Sequence, residues 1–176
     1  MAEKKAVFII AHEGFQVIEY SVPKKLLEQS GIIVTTASNK TMPATANDGS
    51  MVDVDISISD ITVALFDAII FIGGPGAMSH LDNQASYDLI TQTLQEDKLL
   101  GAICITPRIL AHAGALDNKR ATGWNGDNEL GAIFKEYNVH YKNEDVVVDG
   151  KIVTAVGPNS AREFAEQIIS LLEDPA

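Results

Sequence analysis

The sequence has a single cysteine, a single tryptophan, and only 13 Lys plus Arg against 24 Asp plus Glu. One cysteine cannot close an intramolecular disulfide, so a reducing, cytoplasmic setting is expected. A formal charge of −11, spread along the chain, repels phosphate backbones and anionic lipid, so neither nucleic acid nor a membrane is an expected partner. No apolar stretch approaches the roughly 20 residues that span a bilayer. The opening MAEKKAVFIIAHEG places two lysines before a short apolar run at 6–11, which is too short for a signal-peptide core and reads as a first strand.

The hydrophobic content of 46% in 176 residues suits one domain over 1–176 with a sizeable core. Short apolar runs at 6–11, 31–38, 67–74, 99–104 and 151–156 read as strands covered on both faces. Helical periodicity fits 16–30, 84–97, 106–113, 127–136 and 159–173, and this alternation is how a parallel sheet with crossover helices is written. The polar stretch 39–60 carries an Asp48-Gly49 turn signal and reads as a small hairpin, with VVVDGKIV as a second.

In a sheet of this kind ligands bind beyond the carboxyl ends of the strands, and three such ends carry unusual residues. Cys104 ends the fourth strand, followed by Thr106 and by Pro107, which suits a first helical turn. A thiol at a helix N-terminus gains thiolate character from the dipole and the free N–H groups, whereas a thiol inside an apolar strand is an inert core residue. The local sequence leaves both readings open. In the first helix, steps of about 100° put Ile18, Val22 and Leu26 on one stripe opposite Lys24 and Glu28, with Glu19 on the apolar stripe. A carboxyl group facing a core stays protonated and can serve as acid and base. Pro23 cannot donate to the Glu19 carbonyl, so the helix is expected to kink there or begin later. Glu13 is the local rival, and as a loop residue it reads as solvated.

The third end is GGPGAM, in which Gly73, Gly74 and Pro75 form a loop whose backbone N–H groups can approach a ligand oxygen. Its glycine spacing does not make a dinucleotide fingerprint, and no His, Cys or carboxylate spacing suggests a metal, so no cofactor is expected. His12 and His80 lie near strand ends and are placed at the pocket mouth. His112 points away from Cys104 and is expected at the surface, while His140 begins or precedes a late strand. Trp124 reads as an aromatic wall of the pocket or as packing. Asn125 and Asp127 read as substrate contacts or as turn and capping residues.

These residues together resemble the ThiJ/PfpI superfamily, also called the DJ-one superfamily, over essentially the whole chain. The elbow pattern AxCxxPxxLAxAGxL is matched by Ala102, Cys104, Pro107, Leu110, Ala111, Ala113, Gly114 and Leu116, and the family's buried acid with its Pro and Gly by Glu19, Pro23 and Gly31. The C-terminal VVVDGKIVTAVGP and SAREFAEQII are also similar to the family's. The resemblance implies a flavodoxin-like α/β sandwich, the class I glutamine amidotransferase-like fold, with a mainly parallel sheet flanked by helices. It implies Cys104 as nucleophile, Glu19 as acid and base, and the amides of Gly74 and Ile105 as oxyanion donors. Activity would follow as a glutathione-independent glyoxalase or deglycase acting on small carbonyls, with a homodimer or higher oligomer expected.

Two departures narrow that reading. Ile105 stands where protease-like members carry His, which argues against a Cys/His peptidase. ATGWN stands where another branch reads TTH, so Trp124 or Gly123 occupies that His position. A redox sensor or chaperone-like protein with an oxidisable Cys104 is the alternative from another class. An isocyanide hydratase, with Thr106 near the nucleophile, is a further one. A glutamine amidotransferase lacks its late His, since no His follows Gly157.

Overall fold

A computed structural model describes residues 2–174. The strands, in chain order, are β1 (Lys5–Ile10), β2 (Glu13–Phe15), β3 (Ile33–Ser38), β4 (Ala44–Ala46), β5 (Met51–Val52), β6 (Ile56–Ser57), β7 (Ala68–Phe71), β8 (Leu99–Ile103), β9 (Arg120–Ala121), β10 (His140–Tyr141), β11 (Val146–Asp149) and β12 (Ile152–Ala155). The helices are α1 (Val17–Gln29), α2 (Ala77–Leu81), α3 (Gln84–Gln95), α4 (Pro107–His112), α5 (Leu130–Glu136) and α6 (Ala161–Glu173). Seven strands form the central sheet in the order β11-β12-β8-β7-β1-β3-β6, parallel except for β11, which returns on β12 as a hairpin.

The apolar runs are continuous because both faces of the sheet are buried. Val7 and Ile9 of β1 join one core with Leu89, Ile90, Leu110 and Phe134 of α3, α4 and α5. Ala6, Phe8 and Ile10 point the other way, into a second core with Leu27, Phe164 and Ile168 of α1 and α6. Fully burying each large side chain of this kind contributes about 1.5–3 kcal/mol. Among the described residues no helix is long and apolar enough to cross a membrane.

The 39–60 excursion forms the antiparallel β4–β5 hairpin, and β2, which the sequence pattern does not reveal, adds to it in parallel. Helix α2 also lay outside the sequence reading, since GGPGAM reads only as a loop. The α1 wheel needs a correction. Its buried residues are Glu19, Tyr20, Pro23 and Leu27, while Ile18 is 46% exposed. The helix begins at Val17, capped by the Gln16 side chain, and runs through Pro23. Its buried face therefore includes the carboxylate, and Ile18 lies outside that face. Helix α5 begins at Leu130, later than expected, because Asn125 and Asp127 accept from the Leu130 and Glu129 N–H groups and hold 125–129 in a turn.

Candidate active site

Cys104 occupies the bend between β8 and α4 with φ of 67°, a left-handed conformation that costs a non-glycine residue about 1–2 kcal/mol. The surroundings over-determine it. Its N–H donates to the Ala155 carbonyl at 2.9 Å, and its own carbonyl accepts from the Trp124 N–H at 2.7 Å. Behind the bend, Thr106 Oγ1 accepts from the Ile103 N–H at 3.1 Å and reaches the Phe71 carbonyl at 3.0 Å. Thr106 is fully buried in this role. It therefore does not line the pocket, which corrects the sequence expectation: its hydroxyl is used up in tying β7 to the bend.

The Glu19 side chain comes to Cys104 from α1 and is fully buried. Neither carboxyl oxygen has a hydrogen bond of good geometry, and the polar groups facing the carboxyl are the Cys104 thiol and the Gly73 N–H. Burial pushes its pKa up to about 7. The Cys104 thiol is pushed up to about 12, first by burial and then by the Glu19 charge, against the lowering effect of the Ile105 and Gly74 N–H groups. Of the two readings the local sequence left open, the helix-lowered thiolate is the one not favoured here: desolvation and a neighbouring acid outweigh the short helix α4. Between about pH 7 and 12 the pair holds one proton.

A cavity of about 480 Å³ opens over the sulfur. Of the sequence candidates, Glu19, Gly74, Pro75, Cys104, Ile105 and Trp124 line it. Gln16, Asn47, Met78 and Pro158 also line it and were not foreseen, because they arrive from the α1 cap, the β4–β5 turn, α2 and the segment before α6. Gly74 adopts φ of 127°, and a Cβ there would lie 2.3 Å from the Gly14 carbonyl. Gly73 sits behind the sulfur, outside the cavity lining.

Four pocket candidates, His12, His80, Asn125 and Asp127, lie outside the cavity lining. His12 packs edge-on against His80 at 6.3 Å, and Asn39 accepts from its backbone N–H, so neither imidazole lines the Cys104 cavity. Asn125 caps the turn before α5 instead of facing the cavity. Asp127 takes a bidentate ion pair with Arg108, which holds its carboxyl down to about 2. His112 is half-buried and bonded to Asp82, short of the free surface expected for it. Glu13 is exposed. No group of three or more His, Cys, Asp or Glu with metal-binding geometry occurs among the described residues.

A doubly covered parallel sheet with a strained cysteine bend and a buried carboxyl beside the sulfur defines a class of α/β protein centred on one thiol. The chain belongs to the DJ-1/PfpI family, whose model matches residues 4–171. It is similar to the glutathione-independent glyoxalase DJR-1.2 of Caenorhabditis elegans, with 28% identity over 174 residues, covering 99% of this chain and 91% of the relative. It is similar to the deglycase PfpI of Pyrococcus furiosus, 28% identical over 171 residues, covering 96% and 99%. Among solved structures, the ThiJ/PfpI domain protein from Brachyspira murdochii matches with a TM-score of 0.92 and 28% identity, over 98% of both chains.

Proposed function

We propose that the protein converts small reactive carbonyl compounds without glutathione, using Cys104 as nucleophile and Glu19 as proton carrier. The observation that carries this reading is the buried, otherwise unpartnered Glu19 carboxyl facing the only thiol of the chain. Relatives named as a glyoxalase and a deglycase support the same class of substrate.

For an α-oxoaldehyde, Glu19 takes the thiol proton as the sulfur bonds to the aldehyde carbon and the C=O π pair moves onto oxygen. The Gly74 and Ile105 N–H groups, which face the sulfur, stabilise that alkoxide, and Glu19 returns the proton to give a hemithioacetal. Glu19 then removes the proton on the thiolated carbon, and the C–H electron pair forms an enediolate with the neighbouring carbonyl. Glu19 returns the proton to that neighbouring carbon while the hydroxyl proton passes from the first oxygen to the second, leaving a 2-hydroxy thioester. Water breaks the S–C bond, releasing the 2-hydroxy acid and restoring the thiol. The sum is aldehyde plus water to 2-hydroxy acid, an internal redox exchange between adjacent carbons that needs no external oxidant.

Lactate formation from methylglyoxal in the absence of glutathione tests this. The wild type should turn over, Cys104→Ser should fall to background, and Glu19→Gln should lose about 10²–10⁴-fold. Equal rates in all three, or no lactate from the wild type, would overturn the reading.

A further inference from the structure

Arg108 is 6% exposed although it carries a charge, and such a group requires a reason to be inside. It lies on α4, four residues past the nucleophile. Its guanidinium donates to both Asp127 oxygens at 2.9 and 2.8 Å, and its Nη2 also donates to the Trp124 carbonyl at 3.2 Å. The same guanidinium sits 5.5 Å from the centroid of the Trp124 ring system. Gly126 closes against the indole: a Cβ there would fall 2.5 Å from Cζ2 and 2.9 Å from Nε1. Since the Trp124 N–H is bonded to the Cys104 carbonyl, the indole is referenced to the nucleophile from its backbone and to α4 from its ring.

The wall so held belongs to a cavity with no Lys, Arg or His in its lining, and Cys104 and Glu19 are its only ionisable groups. Met78, Ile105 and Pro158 continue the apolar surface of Trp124. The Arg108 charge is neutralised by Asp127. An entering carboxylate or phosphate would therefore lose water without gaining a counter-ion, and would also meet Glu19 and the field of a chain with net charge −11.

We propose that Arg108 is a positioning residue that clamps the Trp124 indole as a wall of the Cys104 cavity, and that this wall selects carbonyl compounds with an uncharged apolar or aromatic substituent. The selection rests on the proposed carbonyl chemistry, but the clamp and the charge discrimination can be tested apart from turnover.

Trp124 is the only tryptophan, so its emission reports the wall directly. Cys104→Ser protein is titrated with benzamide and with benzoate, a neutral and an anionic ligand of one shape. Benzamide should perturb the emission and bind at least about tenfold tighter than benzoate. In Arg108→Lys, which keeps the charge but loses the planar fork, and in Asp127→Asn, the emission should move to the red and benzamide should bind at least about threefold more weakly. Asp127 is partly exposed, so its variant serves if the Arg108 variant does not fold. With catalytically intact protein, the ratio of kcat/KM for phenylglyoxal to that for 4,5-dioxovalerate, an α-oxoaldehyde carrying a carboxylate, should exceed about 100, and the two clamp variants should lower it mainly through KM for phenylglyoxal. Equal binding of benzamide and benzoate, or unchanged emission and ratio in the folded clamp variants, would overturn the proposal. A wild type that discriminates the two ligands yet consumes no aldehyde would sink the proposed function and leave the clamp standing.

Discussion

Cys104 and Glu19 meet across the space that Gly73 leaves by having no side chain: a Cβ at position 73 would lie 2.6 Å from the Cys104 Cβ and 2.8 Å from Glu19 Oε2. The pair is therefore enclosed and titrates as a unit, and its behaviour follows from burial and mutual charge more than from either residue alone.

Thiol reactivity should follow the first proton lost from that pair. Glu19 titrates at about 7, and attack draws on the arrangement in which the one remaining proton sits on the carboxyl. The rate of alkylation by iodoacetamide should rise about tenfold per pH unit up to about pH 7 and then level off. Glu19→Gln should erase that inflection. A profile in both proteins like that of a free thiol, with pKa about 8.5, would contradict the coupling.

Stability should carry the same signature with a definite sign. The folded pKa of Glu19 is raised from 4.5 to about 7, so the native state binds more protons than the unfolded chain between those values. Stability contributed by this group is lost as pH rises through that window, by about 3 kcal/mol in total, and is level above it. Urea denaturation of wild type and Glu19→Gln at pH 4 and pH 8 measures the difference; the variant should gain relative to wild type by about that amount at the higher pH.

The bend at Cys104 should reverse an ordinary preference. With φ of 67°, Cys104→Gly relieves the left-handed strain that Cys104→Ala retains. The glycine variant should be the more stable of the two by about 1 kcal/mol in equilibrium unfolding, although glycine normally loses to alanine. The opposite order would mean that the bend relaxes when the thiol is removed.

Thr106→Val should loosen the same bend from behind. It leaves the buried Ile103 N–H without its side-chain acceptor and removes the hydroxyl that donates to the Ile103 and Phe71 carbonyls, at a cost of about 1–3 kcal/mol. Thr106→Ser, which keeps the hydroxyl, should recover most of that loss in the same assay.

Much of the fold was legible because its signals are local. The strands read as unbroken apolar runs since both faces are covered, as Val7 and Phe8 show by pointing into different cores. Asp48-Gly49 marked the β4–β5 turn, and Pro107 marked the start of α4. The face of α1 was not legible, since exposed Ile18 and buried Glu19 invert the usual ordering of apolar and charged residues. Nor were Asn47, Met78 and Pro158, because their place in the cavity depends on three separate segments arriving at one point.

What the sequence by itself determined was the alternation of the main sheet strands with their covering helices, the single thiol at a strand end and the acidic balance of charge, all consequences of residue type and period along the chain. Only the tertiary structure decided the ionisation of that thiol, the unpartnered state of Glu19 and the anchoring of Trp124 by Arg108. Desolvation and charge coupling depend on distances between residues far apart in sequence, and those distances exist only once the layers have packed.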